Sequence, residues 1–380
     1  MTINKNAMKN LFKIFFLCVA VAFCAACDGE QGAGGSTELP SLQMTVDKAV
    51  VQANSDDYVT VTVTGKNGVI KDGLVYVDKK TNKTLQIEDG KFYPKKAGEY
   101  EFMASDGNGI SNYVKVAAID FPVPALPQED EADADKLDFN KRVMIVQFTS
   151  TGCTGCPGMK SVLKAIAADD DYNKKFVIAS SHHEMGVEGY SDPAVYEGGD
   201  AYADKVMNGQ VSYPTLILDY AYSYADYRNL SNLEETIDKL YGTGLAPVGI
   251  SVNSNGASSA VVARVCVKVA AETTSAWRIG AFLLQDGIVA PQKNAPDTSY
   301  NTHNDCIRAM DCNPNATYYG HSLGRIDVGE TADYTFVFNK FPSNVKINDC
   351  KLLIYVTCNN VVQNAIVAPI GENVGYDYAL

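Results

Sequence analysis

The chain is short of positive charge. Its 380 residues carry 32 Lys and Arg against 45 Asp and Glu, a formal charge of −13. It has no clustered Lys/Arg of the kind nucleic-acid binding needs, so that class of partner is set aside. Long apolar runs are missing too, apart from one at the N-terminus, and no later segment is expected to span a membrane. No internal repeat is visible, which sets repeat architectures aside. The acidic run Glu129-Asp130-Glu131-Ala132-Asp133-Ala134-Asp135 lacks a glycine turn and an alternating ligand pattern, so it does not read as a calcium loop. Hydrophobic residues make up 46%, ample for buried cores and for two or three domains.

What is present begins at the N-terminus. Lys5, Lys9 and Lys13 precede a 13-residue apolar stretch from Ile14 to Ala26. A basic start, a short apolar run and small residues at its end form a secretory signal, and the run is too short to cross a bilayer. Cys24-Ala25-Ala26-Cys27 resembles the lipobox of bacterial lipoproteins, with Cys24 where leucine is usual. The resemblance implies removal of 1–26 and a diacylglycerol on the Cys27 sulfur; an ordinary soluble secretory signal is the alternative. Each buried CH2 contributes roughly 0.8 kcal/mol, so several acyl chains anchor almost permanently. Residues 1–26 hold three lysines and no acids, so without them the charge is −16. Residues 27–40 read as a flexible tether. Asp28 and Glu30 resemble the surface-export signal of Bacteroidetes lipoproteins.

Of ten cysteines, Cys18 and Cys24 leave with the signal and Cys27 is used by lipid. Cys153, Cys156, Cys266, Cys306, Cys312, Cys350 and Cys358 remain. An exported protein lives where disulfides persist, and an odd count leaves at least one thiol unpaired, bound or joined to another chain. The expected pairings are a small Cys306–Cys312 loop and a Cys266–Cys358 bridge between strands, with Cys350 left over. His303, Cys306, Cys312 and His321 offer a metal reading, but the Cys306–Cys312 spacing is wider than a zinc knuckle's. No metal and no cofactor is called for.

Residues 41–120 read as a small all-β domain. Val59-Thr60-Val61-Thr62-Val63-Thr64 alternates at period two, and turn signals recur at 66–68, 88–90 and 106–109. Short strands so spaced suggest a sandwich. Ala97-Gly98-Glu99-Tyr100-Glu101-Phe102 resembles a late strand of bacterial immunoglobulin-like domains, which are usually spacers. Residues 121–136, with Pro122, Pro124 and Pro127 before the acidic run, read as an extended, solvated linker. Residues 137–245 change character: apolar strands at 142–148, 176–179 and 216–218 alternate with helical spacing at 160–168 and 230–240, the latter with Ser231 as N-cap. Residues 246–380 return to alternating strands and read as a second, separate sandwich.

The chemistry-bearing string is Thr151-Gly152-Cys153-Thr154-Gly155-Cys156-Pro157, between a buried strand and a helix. C-x-x-C in that context reads as a redox motif. Cys153 is expected at the helix N-cap, where unpaired N–H groups and the helix dipole stabilise a thiolate, with Cys156 one turn on. A permanent, non-exchanging disulfide and metal binding are the alternatives. Tyr213-Pro214 directly precedes a strand. Cys153, Cys156 and Pro214 resemble the pattern of thioredoxin-like folds over about 141–240. The resemblance implies a cis-proline beside the cysteines and a Tyr213 backbone that pairs with a bound chain by strand addition. Two departures stand out: Gly152 replaces the usual tryptophan, and Gln147 stands where thioredoxins bury a proton-transferring carboxylate. Gln147 hydrogen-bonds but takes no proton at neutral pH. His182, His183, Glu184 and Asp192 lie in a long segment that either borders the cysteines or is a polar loop.

Together with the Cys27 lipobox and Tyr300-Asn301-Thr302-His303-Asn304-Asp305-Cys306-Ile307-Arg308, the C-x-x-C string resembles the outer membrane protein 28-related lipoproteins of Bacteroidetes over about 137–372. That resemblance implies a thioredoxin-like domain followed by a β domain, lipid-anchored at the outer membrane and facing the periplasm or the cell surface. It implies a place, not a reaction. Two functions stay open: thiol–disulfide exchange with protein thiols or disulfides through Cys153 and Cys156, or a non-enzymatic surface binding or adhesion role on the same scaffold.

Overall fold

The computed structural model describes residues 41–224, 226, 228–312 and 318–379. The expected signal, the lipid site at Cys27 and the tether lie outside the described residues. The chain forms two compact units, the first ending at Asp120 and the second beginning at Phe121. It is rich in strand, with three α-helices among the described residues, and none of these is long and apolar enough to cross a membrane.

In the first unit the Val/Thr alternation does what its period requires. Strand Val59–Gly65 buries Val59, Val61 and Val63 and turns its threonines outward. It belongs to one five-stranded sheet, and Gly98–Ser105 with Val114–Ile119 to another. Met44 and the three valines share one core with Tyr76, Phe102, Ala104, Val116 and Ala118.

The second unit is built on strands β1 (Val143–Thr149), β2 (Phe176–His182), β3 (Thr215–Leu218) and β4 (Tyr222–Tyr224), with helices α1 (Cys156–Ala167), α2 (Gly199–Val206) and α3 (Leu230–Tyr241). Then come β5 (Val248–Ala257), β6 (Ala260–Val269), β7 (Trp277–Gln285), β8 (Cys306–Asp311), β9 (His321–Gly324), β10 (Thr331–Phe338), β11 (Cys350–Cys358), β12 (Val361–Pro369) and β13 (Asn373–Val374). Every residue of β1 is buried, Gln147 and Thr149 included, as expected of a mostly apolar strand covered on both faces. Met159, Val162, Leu163 and Ile166 recur at helical spacing and fix the buried face of α1. Asn229, not Ser231, caps α3: its side chain accepts from Asn232 N.

One nine-stranded sheet has the order β4-β3-β1-β2-β8-β7-β11-β12, with β9 on β7. The parallel pairing of Ser180 with Cys306 joins β2 to β8. Residues on either side of 245/246 therefore share this sheet, and the expected separate C-terminal sandwich is instead its continuation. A second sheet, β10-β6-β5-β13, packs on it. On one face of the large sheet a single core runs from Val146 and Phe148 through Phe282 to Tyr355, with Tyr202 of α2. The other face has two coverings. Helices α1 and α3 lie over Val143, Ile145, Leu216 and Leu218, while β5, β6 and β10 lie over Ile279, Leu283, Leu352 and Ile354. Between them, along the cross-strand row Gln147–Ser180–Cys306–Gln285, the buried side chains of that face turn polar or sulfur-bearing.

The acidic segment does not float as an extended linker. Lys268 lies inside β6 at 1% exposure and needs an anion there. Glu129 supplies it at 2.8 Å, and Ala134 O accepts from the same Nζ at 2.6 Å. Asn253 and Asn255 of β5 bind the carbonyls of Ala125 and Pro122.

Candidate functional site

Strand register assembles the site. Antiparallel pairing of Phe148 with Thr215 puts the end of β1 and the start of β3 at one edge of the sheet. The Cys153 loop leaves from the first, and Tyr213-Pro214 leads into the second. The Tyr213–Pro214 peptide is cis. Cys153 and Cys156 are joined as a disulfide. The helix begins at Cys156, with Gly155 as its N-cap, so Cys153 precedes it rather than capping it. Polarisation comes through one bond instead: the N–H of Cys156 donates to Cys153 Sγ at 3.1 Å. Pro157 sits in the first turn, where a missing N–H costs nothing.

Both cysteines are nearly enclosed, at 4% and 2% exposure, and two segments do the enclosing. Gln292, which no motif signals, donates from Nε2 to the carbonyls of Ser150, Thr151 and Cys153, and Lys293 N donates to Thr151 O. From the other side, Val187 covers Gly152: a Cβ there would stand 3.1 Å from Val187 Cγ2. This is why a tryptophan does not fit before Cys153.

The segment after β2 borders the site rather than looping away. Asp192 Oδ2 accepts from Thr151 N at 2.9 Å and Oδ1 from Ala194 N at 3.0 Å, and the carboxylate pairs with His182 Nδ1 at 2.8 Å. The Cys306 Sγ donates to Asn304 O at 3.6 Å. Burial pulls the imidazole down, but the Cys306 sulfur and the Asp192 carboxylate outweigh it and hold its pKa near about 10. His303 stacks edge-on to His182 at 5.1 Å, and burial with the His182 charge pushes it down to about 4. His183 stacks flat on Tyr213 at 5.0 Å and pairs with Asp200. Burial and the Asp200 charge raise the Tyr213 phenol to about 12. Gln147 accepts from Ser180 Oγ at 3.2 Å.

The expected pairings of the other cysteines do not form: Cys266, Cys306, Cys312, Cys350 and Cys358 are free. Cys306 and Cys312 lie along and just past one extended strand, about 20 Å apart, far beyond disulfide reach. Cys266 faces Pro127 outside the inter-sheet core that holds Cys358. Among the described residues no group of three His, Cys, Asp or Glu is placed to hold a metal ion.

No protein-family model matches the chain, and no curated protein does. Among solved structures, HBP35 of Porphyromonas gingivalis is similar at 19% identity, over 62% of this chain and 77% of that one, with a TM-score of 0.50. A protein of Agrobacterium tumefaciens aligns at 16% identity over 63% of this chain and 99% of its own, with a TM-score of 0.41. A domain of the outer membrane lipoprotein Omp28 of Porphyromonas gingivalis aligns at 12% identity over 33% and 89%, with a TM-score of 0.23. At such identities the first likeness speaks of fold alone, and the other two are too distant to add to it.

Proposed function

We propose that this chain is a lipid-anchored protein of the bacterial outer membrane, akin to the outer membrane protein 28-related lipoproteins. In this reading 41–120 is an immunoglobulin-like spacer and the α/β half of the second unit is thioredoxin-like. Its Cys153–Cys156 disulfide exchanges with thiols or disulfides of protein partners. The observation that carries the reading is the Cys156 amide aimed at Cys153 Sγ at the start of α1. Once the pair is reduced, that N–H and the helix dipole favour a Cys153 thiolate. The thiolate attacks a partner disulfide, forms a mixed disulfide and releases one partner thiolate; Cys156 then attacks Cys153 Sγ, restores the internal bond and releases the second. Tyr213, fixed by its stack on His183, offers its backbone to an extended partner segment. Gln147 takes no proton, so turnover is slow compared with an enzyme that has a carboxylate there.

A second reading, a non-enzymatic surface binder whose disulfide only staples the loop, is favoured by the enclosure of both cysteines. Trapping separates the two. With Cys156→Ser, the first reading expects a Cys153-linked adduct with insulin as the disulfide substrate, lost in Cys153→Ser. No adduct, and no reduction of insulin above background by the native chain, leaves the binding role.

A further inference from the structure

We propose that the hairpin 287–304 is a strap closed over the Cys153–Cys156 disulfide, with Gln292 at its tip as the latch, and that a protein partner reaches the disulfide when the tip lifts. As a gate on exchange this rests on the function proposed above; as a shield over the disulfide it does not. The stem of the hairpin is short: Ile288 pairs with His303 and Val289 with Thr302. Ala290 N donates to Asn301 O, and Gln292 N to Asn301 Oδ1. Ile288 packs with Ala194 and Cys306, which anchors the stem. At the two feet, Gly287 and Asp305 hold left-handed backbone, at φ +71° and +57°. They lie just past the end of β7 and just before β8, element-terminal positions of the kind that absorb a hinge motion.

Polar contacts hold the tip down. The carbonyls of Ser150, Thr151 and Cys153 converge on Gln292 Nε2 at 3.1, 3.1 and 3.2 Å. One amide with two N–H donors thus ties down the loop that carries Cys153. On α1, Lys160 Nζ donates to Tyr300 O at 2.8 Å and to Thr302 O at 2.6 Å. Ser161 Oγ and Tyr300 OH share a hydrogen bond of 2.6 Å, and Lys164 Nζ reaches Ser299 Oγ at 3.1 Å. The cores on the two faces of the α/β half include neither Gln292 nor Tyr300. Opening therefore exchanges protein hydrogen bonds for water, a small net cost, and breaks no apolar core. Segments held in this way open locally, without global unfolding. The opposite wall, 183–192, is pinned by the buried His182–Asp192 pair, so the strap is the side that yields.

The test uses the full chain. In native-state hydrogen exchange the amides of Ala290, Gln292 and Lys293 are expected to exchange well ahead of those of β1 and β2. Exchange of the tip only together with those strands overturns a moving strap. Reduction of the disulfide by tris(2-carboxyethyl)phosphine, quenched by alkylation and read by peptide mass, is expected to run about tenfold faster in Gln292→Ala, which deletes the latch. Lys160→Met frees the tip from α1 without altering a bond to the cysteine loop and is expected to act in the same direction. Native rates in both variants overturn the proposal. Insulin capture by Cys156→Ser, with and without Gln292→Ala, separates this proposal from the exchange reading. Faster capture without the latch supports the gate. Equal capture by both overturns the gate and leaves exchange standing. Faster phosphine reduction with no insulin adduct in either leaves the shield standing and removes exchange.

Discussion

The 41–120 unit and the 121–380 unit bury polar groups very differently. In the first, the buried polar side chains are Asp78 and Ser111; in the second they include Lys141, Asp219, His182, Asp192, Lys268, His303 and Arg308. The first is a two-sheet stack in which the Val/Thr alternation of strand Val59–Gly65 turns its threonines outward, and few polar groups are drawn inside. In the second, one face of a single sheet is covered partly by helices and partly by another sheet, and two layers of different thickness do not meet flush. The polar row from Gln147 to Gln285 marks that junction, and the site lies beside it. Charge buried in this way has to be paired, and pairing fixes loops such as 183–192 over the cysteines.

The contrast can be broken most forcefully at the Lys141–Asp219 pair, which is buried and closed at 2.9 Å. Asp219→Ala strands the lysine, and a loss of about 3–5 kcal/mol is expected. Trp277, the chain's single tryptophan, lies in the second unit and reports that loss in urea unfolding. A midpoint that does not move contradicts the pairing account.

Titration should come next in size. His303 has its folded pKa lowered from 6.5 to about 4, so below pH 6.5 the unfolded chain binds a proton that the folded chain refuses. Stability therefore falls as pH drops from 6.5 toward 4, by on the order of 2–3 kcal/mol, and His303→Gln should flatten that slope. His182 acts in the opposite sense. Its folded pKa is raised to about 10, so its contribution is full below 6.5 and fades as pH rises toward 10. Maximal stability of the second unit is thus expected near pH 6.5, and a maximum well away from there in the Trp277 signal argues against both assignments.

Smaller effects sharpen the comparison from each side. Gly152→Trp forces a side chain into Val187 and is expected to cost about 1–3 kcal/mol while exposing the disulfide to faster reduction by dithiothreitol. In the first unit, Asp78 closes a turn by accepting from Thr81 N at 2.7 Å and Thr81 Oγ1. Asp78→Ala should cost that unit about 1 kcal/mol and leave the Trp277 transition in place. A shift of the Trp277 midpoint would show that the two units do not unfold independently.

Much of this was legible from residues alone. The period-two run at 59–64 and the mostly apolar run at 142–148 announce strands buried on one face and on both, and both form as read. C-x-x-C after such a strand carries the Cys153–Cys156 disulfide, and Tyr213-Pro214 leads into the strand that pairs with it. What stayed hidden depends on contacts between distant residues. The Ser180–Cys306 pairing that fuses two expected domains rests on one register position 126 residues apart, and no local pattern encodes it. Gln292 is a lone glutamine in a polar stretch, with no spacing to mark it. The acidic segment reads as solvated because its partner, Lys268, sits in an alternating strand that gives no hint of a buried charge.

The reduction potential of the Cys153–Cys156 pair tests the central claim most directly. Equilibrating the full chain with graded glutathione buffers, with the remaining cysteines monitored separately, should place it above about −300 mV, in the range of disulfides that exchange. A value well below about −300 mV would mark a permanent staple and contradict the exchange function.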